Sequence, residues 1–340
     1  MNFAMWKKAL TVIPEVSKEE WNALDVISKW LISTRAAVLV MTFISAALAG
    51  LFAWRAGSFS FVPWIALVLG LILAHASNNI FNDYTDYVRG VDKDNYYRTL
   101  YGAQPVADGL MTRRQHLTYF AVTGLVALFF GLYLIWYTGF SSTTWVLLGL
   151  GAFFVLFYTW PLKGMAMGEI AVLVVWGPLM IGGGYYVLTG LWDANVWNVI
   201  IASLPYSLGV TTVIFGKHID KIVPDTQKKI HTLPVVIGEK AARYSVLAMM
   251  IVPYFLTAYL IATKFFTPIM AIVVFAIPAF LKIYPIFLQP KPQTPPEGQR
   301  GWPLYFVGYA FYNNRTFGSL FMLGLLIDGA LRIFLPAFWH

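Results

Sequence analysis

HASNNIFNDYTDYVRGVD, from His75 to Asp92, closes an apolar run, Phe61 to Ala74, that reads as a helix buried in lipid. Six polar groups follow closely within it: His75, Asn78, Asn79, Asn82, Asp83 and Asp86. Such groups are costly at membrane depth. At helical spacing His75, Asn79, Asn82 and Asp86 share one face, with Asn78 and Asp83 beside it, because residues three or four apart are neighbours on a helix. Gly90 is placed to end the helix, which leaves Asp92 and Asp94 in the loop beyond. Two readings compete. The stripe is either satisfied by neighbouring helices or it is a functional site, and ionisable groups within lipid mark a site by default.

The rest of the chain sets that helix among others. Its 340 residues are 59% hydrophobic and 12% charged, against roughly 25% charged in a soluble domain. This is the composition of an all-α polytopic membrane protein, with the lipid bilayer as its partner. The absence of cysteine excludes thiolate metal sites, disulfides and cysteine nucleophiles. A formal charge of +8 invites a nucleic-acid reading. The basic residues, however, lie in short segments between apolar spans, where headgroups and orientation explain them, so nucleic acid is excluded.

Taken in order, MNFAMWKKALTVIPEV lacks the sustained apolar core of a removable signal peptide. Ser17-Lys18-Glu19-Glu20 has the capping-box pattern, and Trp21, Leu24, Ile27, Trp30 and Leu31 recur on one face. Residues 1–34 are therefore expected as a cytoplasmic, amphipathic segment at the membrane interface. Spans of about twenty residues are placed near 36–54, 61–87, 117–137, 145–161, 169–189, 196–217, 241–262, 267–288 and 317–336, nine in all, within a single domain over 1–340. Each must be helical, because lipid offers the backbone no hydrogen-bond partner. QPKPQTPPEGQRG, residues 289–301, is too rich in proline and glycine to be helical and is expected as a cytoplasmic linker. Lysine and arginine crowd the loops on one side, leaving Arg55, Lys264 and Arg332 on the other, so the amino terminus is expected in the cytoplasm and the carboxyl terminus outside.

A second polar concentration, GKHIDKIVPDTQKKIHTLPVVIG from Gly216 to Gly238, sets Asp220 and Asp225 among Lys217, His218, Lys221, Lys228 and Lys229. It falls on the same side as Asp86 and Asp92. Two carboxylate clusters at one membrane face suggest a hard cation such as magnesium, completed by phosphate oxygens. The neighbouring cations would take up the remaining phosphate charge. An interfacial salt-bridge network is the alternative, and it does not explain Asn82 and Asp86 inside an apolar span. The spacing of His75, His218 and His231 matches no compact zinc pattern.

Asn82-Asp83-Tyr84-Thr85-Asp86, followed by Gly90 and Asp92, resembles the first aspartate-rich motif of the UbiA superfamily of intramembrane prenyltransferases. Asp220 and Asp225, running on to Thr232-Leu233, resemble the second. Between them YTWPLKGMAMGEIAVLVVWGPL, Tyr158 to Leu179, is similar to the connection between the family's fourth and fifth helices, with Lys163, Gly168, Glu169, Gly177 and Pro178 in place. Arg98-Thr99-Leu100 also has a counterpart. The resemblance covers most of the chain, and its four short strings occur in the family's order.

That resemblance implies about nine transmembrane helices around a central cavity open toward the cytoplasmic side. Two magnesium ions would hold a prenyl diphosphate between the motifs, on Asn82, Asp86, Asp92, Asp220 and Asp225. The catalytic set would be Asp86, Asp220, Lys163, Arg98 and Lys217, the cations offsetting charge on the leaving diphosphate. Asn79, Lys228, Tyr158 and His75 would complete the substrate contacts with them. Phe81, Tyr84, Trp160, Tyr185 and Tyr186 would line the cavity, or else serve interfacial belts and packing. The NDYxD form looks most like the branch that prenylates 1,4-dihydroxy-2-naphthoate, an aromatic acceptor of menaquinone synthesis. One departure stands out: Gly216, Lys217 and Ile219 occupy positions where that branch has an asparagine pair and an arginine, and one extra residue separates Asp220 from Asp225. The alternatives are a terpene cyclase or diphosphate lyase using the same metal site, and a cation-coupled transporter. Against the transporter, both acidic clusters lie at span ends on one side and no path across is visible.

Overall fold

The computed structural model describes residues 1–91, 102–192, 194–298 and 301–335. Among these the chain is helical, and the one β-type contact is an isolated bridge between Met165 and His231. Among the described residues eight helices are long and apolar enough to cross a membrane. A further apolar helix, Ser142–Phe157, is 16 residues long and lies where the fourth span was expected.

The chain divides into two compact units, each with its own packing. The first comprises Met1–Ala47 and Phe61–Pro161, the second Leu48–Ser60 and Leu162–His340. In the first, α1 (Phe3–Thr11), α2 (Lys18–Ala23) and α3 (Val26–Ser33) precede α4 (Val40–Arg55), whose last turns belong to the second unit. α5 (Phe61–Val88) lies along α6 (Arg113–Tyr137) and also meets α7 (Ser142–Phe157). Asp25 caps α3 and breaks the expected single amino-terminal helix in two. The apolar face expected to rest on lipid is partly turned inward: Trp21, Leu24, Leu31 and Ile32 are buried with Ala103, Leu110 and Met111. Backbone bonding secures this, with Ala103 donating to Pro14 (3.0 Å), and Lys18 Nζ reaches Leu110 O at 2.9 Å.

In the second unit α8 (Gly168–Thr189) carries a π-helical stretch, Val175–Gly182, at Gly177-Pro178. Proline withholds a donor from the helical ladder, and such widened turns accommodate the loss. α9 (Ala194–Asp220) is the central element, packed by α8, by α12 (Glu239–Ala262) and by α14 (Phe306–Phe334), and 78% of its most apolar stretch is buried. The short α10 (Ile222–Gln227) and α11 (Leu233–Ile237) follow it, and α13 (Pro268–Leu288) packs on α14. α14 begins at Phe306, a full three turns before the span placed at 317. Its first turns, with Asn313, Asn314 and Arg315, are too polar to register as apolar span. Residues 289–298 are non-helical, as their proline content requires.

The three basic residues expected opposite the crowded side gather in this unit. Asp328, 1% exposed, accepts from Arg55 (3.0 Å) and from the Thr267 amide (2.6 Å), with Arg332 Nε at 3.6 Å. Arg332 also donates to the carbonyl of Lys264 (2.9 Å). Two of the exceptions to the charge asymmetry are thus neutralised by a buried carboxylate rather than set in solvent.

Candidate functional site

On α5 the polar stripe divides. His75 is buried with Nδ1 2.8 Å from Thr42 Oγ1, Asn78 donates to Val155 O (2.9 Å), and Asn79 donates to Thr34 O (2.8 Å). These bonds tie His75 and Asn79, expected to meet substrate, to α5's neighbours in the first unit, since a buried polar group in lipid must find an internal partner. Asn82 donates through Nδ2 to Thr159 Oγ1 (2.7 Å), which leaves its carbonyl oxygen as the atom able to meet a hard cation. Asp83 is 2% exposed and pairs with Arg35, which also donates to Gln104 Oε1 at 2.8 Å. Arg35 sits in the left-handed region, φ +53°, at the turn into the first span. Asp86, one turn beyond Asn82, is only half-buried. Asp92 and Arg98 lie outside the described residues.

In the second unit Glu169 gathers the other pieces. Its Oε1 is 2.6 Å from His218 Nδ1, and its Oε2 accepts from the Leu233 amide (3.4 Å), both carboxylate and imidazole being buried. With the Met165–His231 bridge, this sets the Lys163 connection against both ends of the second motif. Tyr158, of the first unit, and Lys163, Lys217 and Lys228, of the second, are all half-buried.

The two aspartates of the second motif differ. Asp225 is 2% exposed; one oxygen lies 3.4 Å from Lys221 Nζ, while Oδ2 is buried without a hydrogen-bond partner among the described residues. Thr232 Oγ1 is a second such atom in the same motif. A buried, unsatisfied carboxylate oxygen is expensive, and a bound cation would satisfy it. Asp220, expected as a metal ligand, is held otherwise. It accepts from the amides of Tyr305 (2.8 Å), Phe306 (3.0 Å) and Val307 (3.1 Å), and Lys291 Nζ is 3.4 Å away. A carboxylate has about four lone-pair sites, and three of them accept these amides. Lys291 further donates to Pro303 O (2.6 Å) and Asp220 O (3.2 Å), and burial draws its pKa below the ordinary lysine value while Asp220 opposes that. Among the described residues no group of three or more histidine, aspartate or glutamate side chains is arranged to hold a metal. Asn82 and Asp225 each offer an oxygen that fits a hard cation, whereas the Asp220 oxygens already accept three amides and face Lys291.

Arg35, Glu169, His218 as a partner of Glu169, Lys291 and Asp328 were not expected in these roles. A lone acid in an apolar span with Arg332 four residues on was the one sequence signal among them.

A polytopic α-helical membrane protein carrying two amide-and-carboxylate motifs is the class that this fold and these side chains define. The UbiA prenyltransferase family profile matches residues 43–300, and the chain belongs to that family. It is 25% identical over 226 residues to the UbiA prenyltransferase domain-containing protein 1 homolog of Drosophila melanogaster, covering 64% of this chain and 59% of that protein. It is 29% identical over 224 residues to the 1,4-dihydroxy-2-naphthoate octaprenyltransferase of Escherichia coli (strain K12), covering 63% and 70%. In fold it resembles a digeranylgeranylglyceryl phosphate synthase (TM-score 0.60, 13% identity, 89% of this chain and 98% of that one). The apo structure of a UbiA homolog from Aeropyrum pernix K1 is similar as well (TM-score 0.59, 15% identity, 83% and 97%).

Proposed function

We propose that this protein transfers an isoprenyl group from a prenyl diphosphate to an aromatic acceptor in a magnesium-dependent reaction. The observation that carries the reading is Asp225 Oδ2, buried in the second unit with no hydrogen-bond partner among the described residues, in a chain of the UbiA family; in the first unit the Asn82 carbonyl oxygen is likewise suited to a hard cation. Asn82, Asp86, Asp92 and Asp225 would hold the metal, for which two ions are expected. When bound, it would supply positive charge to the diphosphate as that group departs.

The chain's own cations do the rest. Arg98, Lys163, Lys217 and Lys228 bind and orient the diphosphate and offset the charge that grows as the carbon–oxygen bond breaks. A ring carbon of the acceptor then takes the prenyl carbon and loses a proton. The bacterial relative's name, together with the NDYxD form, favours a quinone precursor such as 1,4-dihydroxy-2-naphthoate as acceptor. The charge distribution favours a cytoplasmic amino terminus, a carboxyl terminus outside and a cavity reached from the cytoplasm. Single cysteines at Ser141 and Thr226, in a chain without its own, should label from opposite sides of sealed vesicles. Gln299, a third position for such labelling, lies outside the described residues.

The deciding experiment incubates purified protein with magnesium and a labelled prenyl diphosphate, with and without dihydroxynaphthoate. A labelled adduct formed only with both supports transfer. Release of diphosphate without acceptor would replace it with a lyase or cyclase, and no consumption under any condition would remove the enzyme reading.

A further inference from the structure

The departure at Gly216 has a structural counterpart. A Cβ at that position would lie 2.9 Å from the Val307 nitrogen and Cα and 3.0 Å from the Phe306 carbonyl carbon. Only glycine lets α9 approach the amino end of α14 this closely. One turn further along α9, Asp220 takes the three amides of that same end. These are donors that a helix's first turn cannot satisfy within itself. Lys291 closes the arrangement from the proline-rich segment: its backbone amide donates to Glu239 Oε1 (3.0 Å), its ammonium meets Asp220 and Pro303 O, and it stands 5.2 Å from the Trp302 ring.

We propose that Asp220 is a positioning residue: admitted by Gly216 and braced by Lys291, it clasps α14 and the proline-rich strap to the end of α9, and leaves metal binding in the second motif to Asp225. The metal half rests on the function proposed above; the clasp does not. A residue that merely ligates a cation has no need of three amides and an ammonium. A pure cap gives no reason for Asp225, five residues away, to keep an oxygen without a hydrogen-bond partner among the described residues. The two carboxylates, five residues apart, have divided tasks and meet different partners.

The test uses full-length protein in lipid nanodiscs, with manganese and inorganic diphosphate as the probe. Two quantities are measured for Asp220→Asn, Lys291→Met and Asp225→Asn: manganese affinity by electron paramagnetic resonance, and hydrogen exchange of the amides at 305–307. Asp220→Asn and Lys291→Met should each speed that exchange about tenfold or more. In Asp225→Asn exchange should stay as in the parent, while manganese affinity falls by at least about tenfold. Lys291→Met should keep manganese affinity within about threefold, since an ammonium is no ligand in either reading. If Asp220→Asn weakens manganese as much as Asp225→Asn does and leaves the exchange at 305–307 unchanged, Asp220 is a ligand and the proposal fails. Absence of manganese binding in the parent protein overturns the metal half together with the proposed function, while the exchange result still decides the clasp.

Discussion

The two motifs handle adjacent acids in the same way by different means. In the first, Asp83 is buried against Arg35 while Asp86, three residues on, is half-buried. In the second, Asp220 accepts from three backbone amides while Asp225 Oδ2 is without a hydrogen-bond partner among the described residues. Each motif ties one carboxylate into the fold, Asp83 through a guanidinium and Asp220 through backbone amides. The partner differs because of where each lies: Asp83 faces the turn carrying Arg35, whereas Asp220 ends α9 beside a helix start rich in unpaired donors. Motif membership alone therefore does not say which acid does chemistry.

The comparison breaks most directly at Asp86. Asp86→Ala should lower prenyl transfer on the order of 10²-fold or more, the scale of losing one preorganised electrostatic group. Its thermal unfolding should match the parent's within error. Near-normal turnover at saturating magnesium would put Asp86 with the structural acids.

Asp83→Ala should show the opposite pattern. Removing one partner of a buried pair strands the other charge, at a cost of about 3 kcal/mol. Arg35→Ala should cost less, since Arg35 is 18% exposed and retains some access to water. Adding Arg35→Ala to Asp83→Ala should recover part of the loss. Strict additivity of the two in a chemical-denaturation cycle would mean that the pair is not coupled.

How far the sequence could reach follows from these same residues. The spans were legible because lipid demands twenty apolar residues and an internal partner for every backbone group, which constrains composition directly. The face on α5 was legible for the same reason, but its division was not. Nothing local separates Asn79, bonded to Thr34 O, from Asn82, bonded to a side chain and left with its carbonyl oxygen. Asp83 is marked out by Arg35, 48 residues away. Asp220 was the least legible, because its partners are amides 85 to 87 residues on and every residue except proline has one. Glycine at 216 was visible as a departure from the family, and only the approach of α14 explains it.

A smaller effect is expected at Lys217, which follows Gly216 and precedes Asp220. A protonated lysine is no magnesium ligand, so in the proposed reaction it would meet diphosphate as a point charge. Because its contribution grows with leaving-group charge, Lys217→Ala should lower kcat about tenfold, less than a fully enclosed donor would, while magnesium affinity changes little. Lys217→Asn, which restores the residue type usual in the branch, should not recover full rate. An unchanged rate at saturating prenyl diphosphate would assign Lys217 to the headgroup region.

The smallest effect sharpens the comparison from outside both motifs. Asp25 is an acid committed wholly to local structure: it accepts from the Ser28 amide (3.0 Å) and hydroxyl (2.9 Å), the Asn2 amide (2.7 Å) and Trp6 Nε1 (3.1 Å). Burial works to raise its pKa, but the Ser28 and Asn2 amides, with the two side-chain donors, hold it well below the usual carboxylate range. A carboxylate depressed in the folded state adds stability that is fully present above its unfolded value, about 3.9, and is lost as pH falls through the folded one. Lowering pH from 6 to 3 should therefore begin to loosen α1 and α3, as hydrogen exchange corrected for its intrinsic pH dependence would read, while the segments around Asn82 and Asp225 stay protected. Asp25→Asn should show faster exchange in α1 and α3 already at pH 6 and little further change on acidification. Identical profiles for the two proteins would mean that the Asp25 cap does not govern the amino-terminal segment, and that an acid can be fully bonded without being needed by the fold.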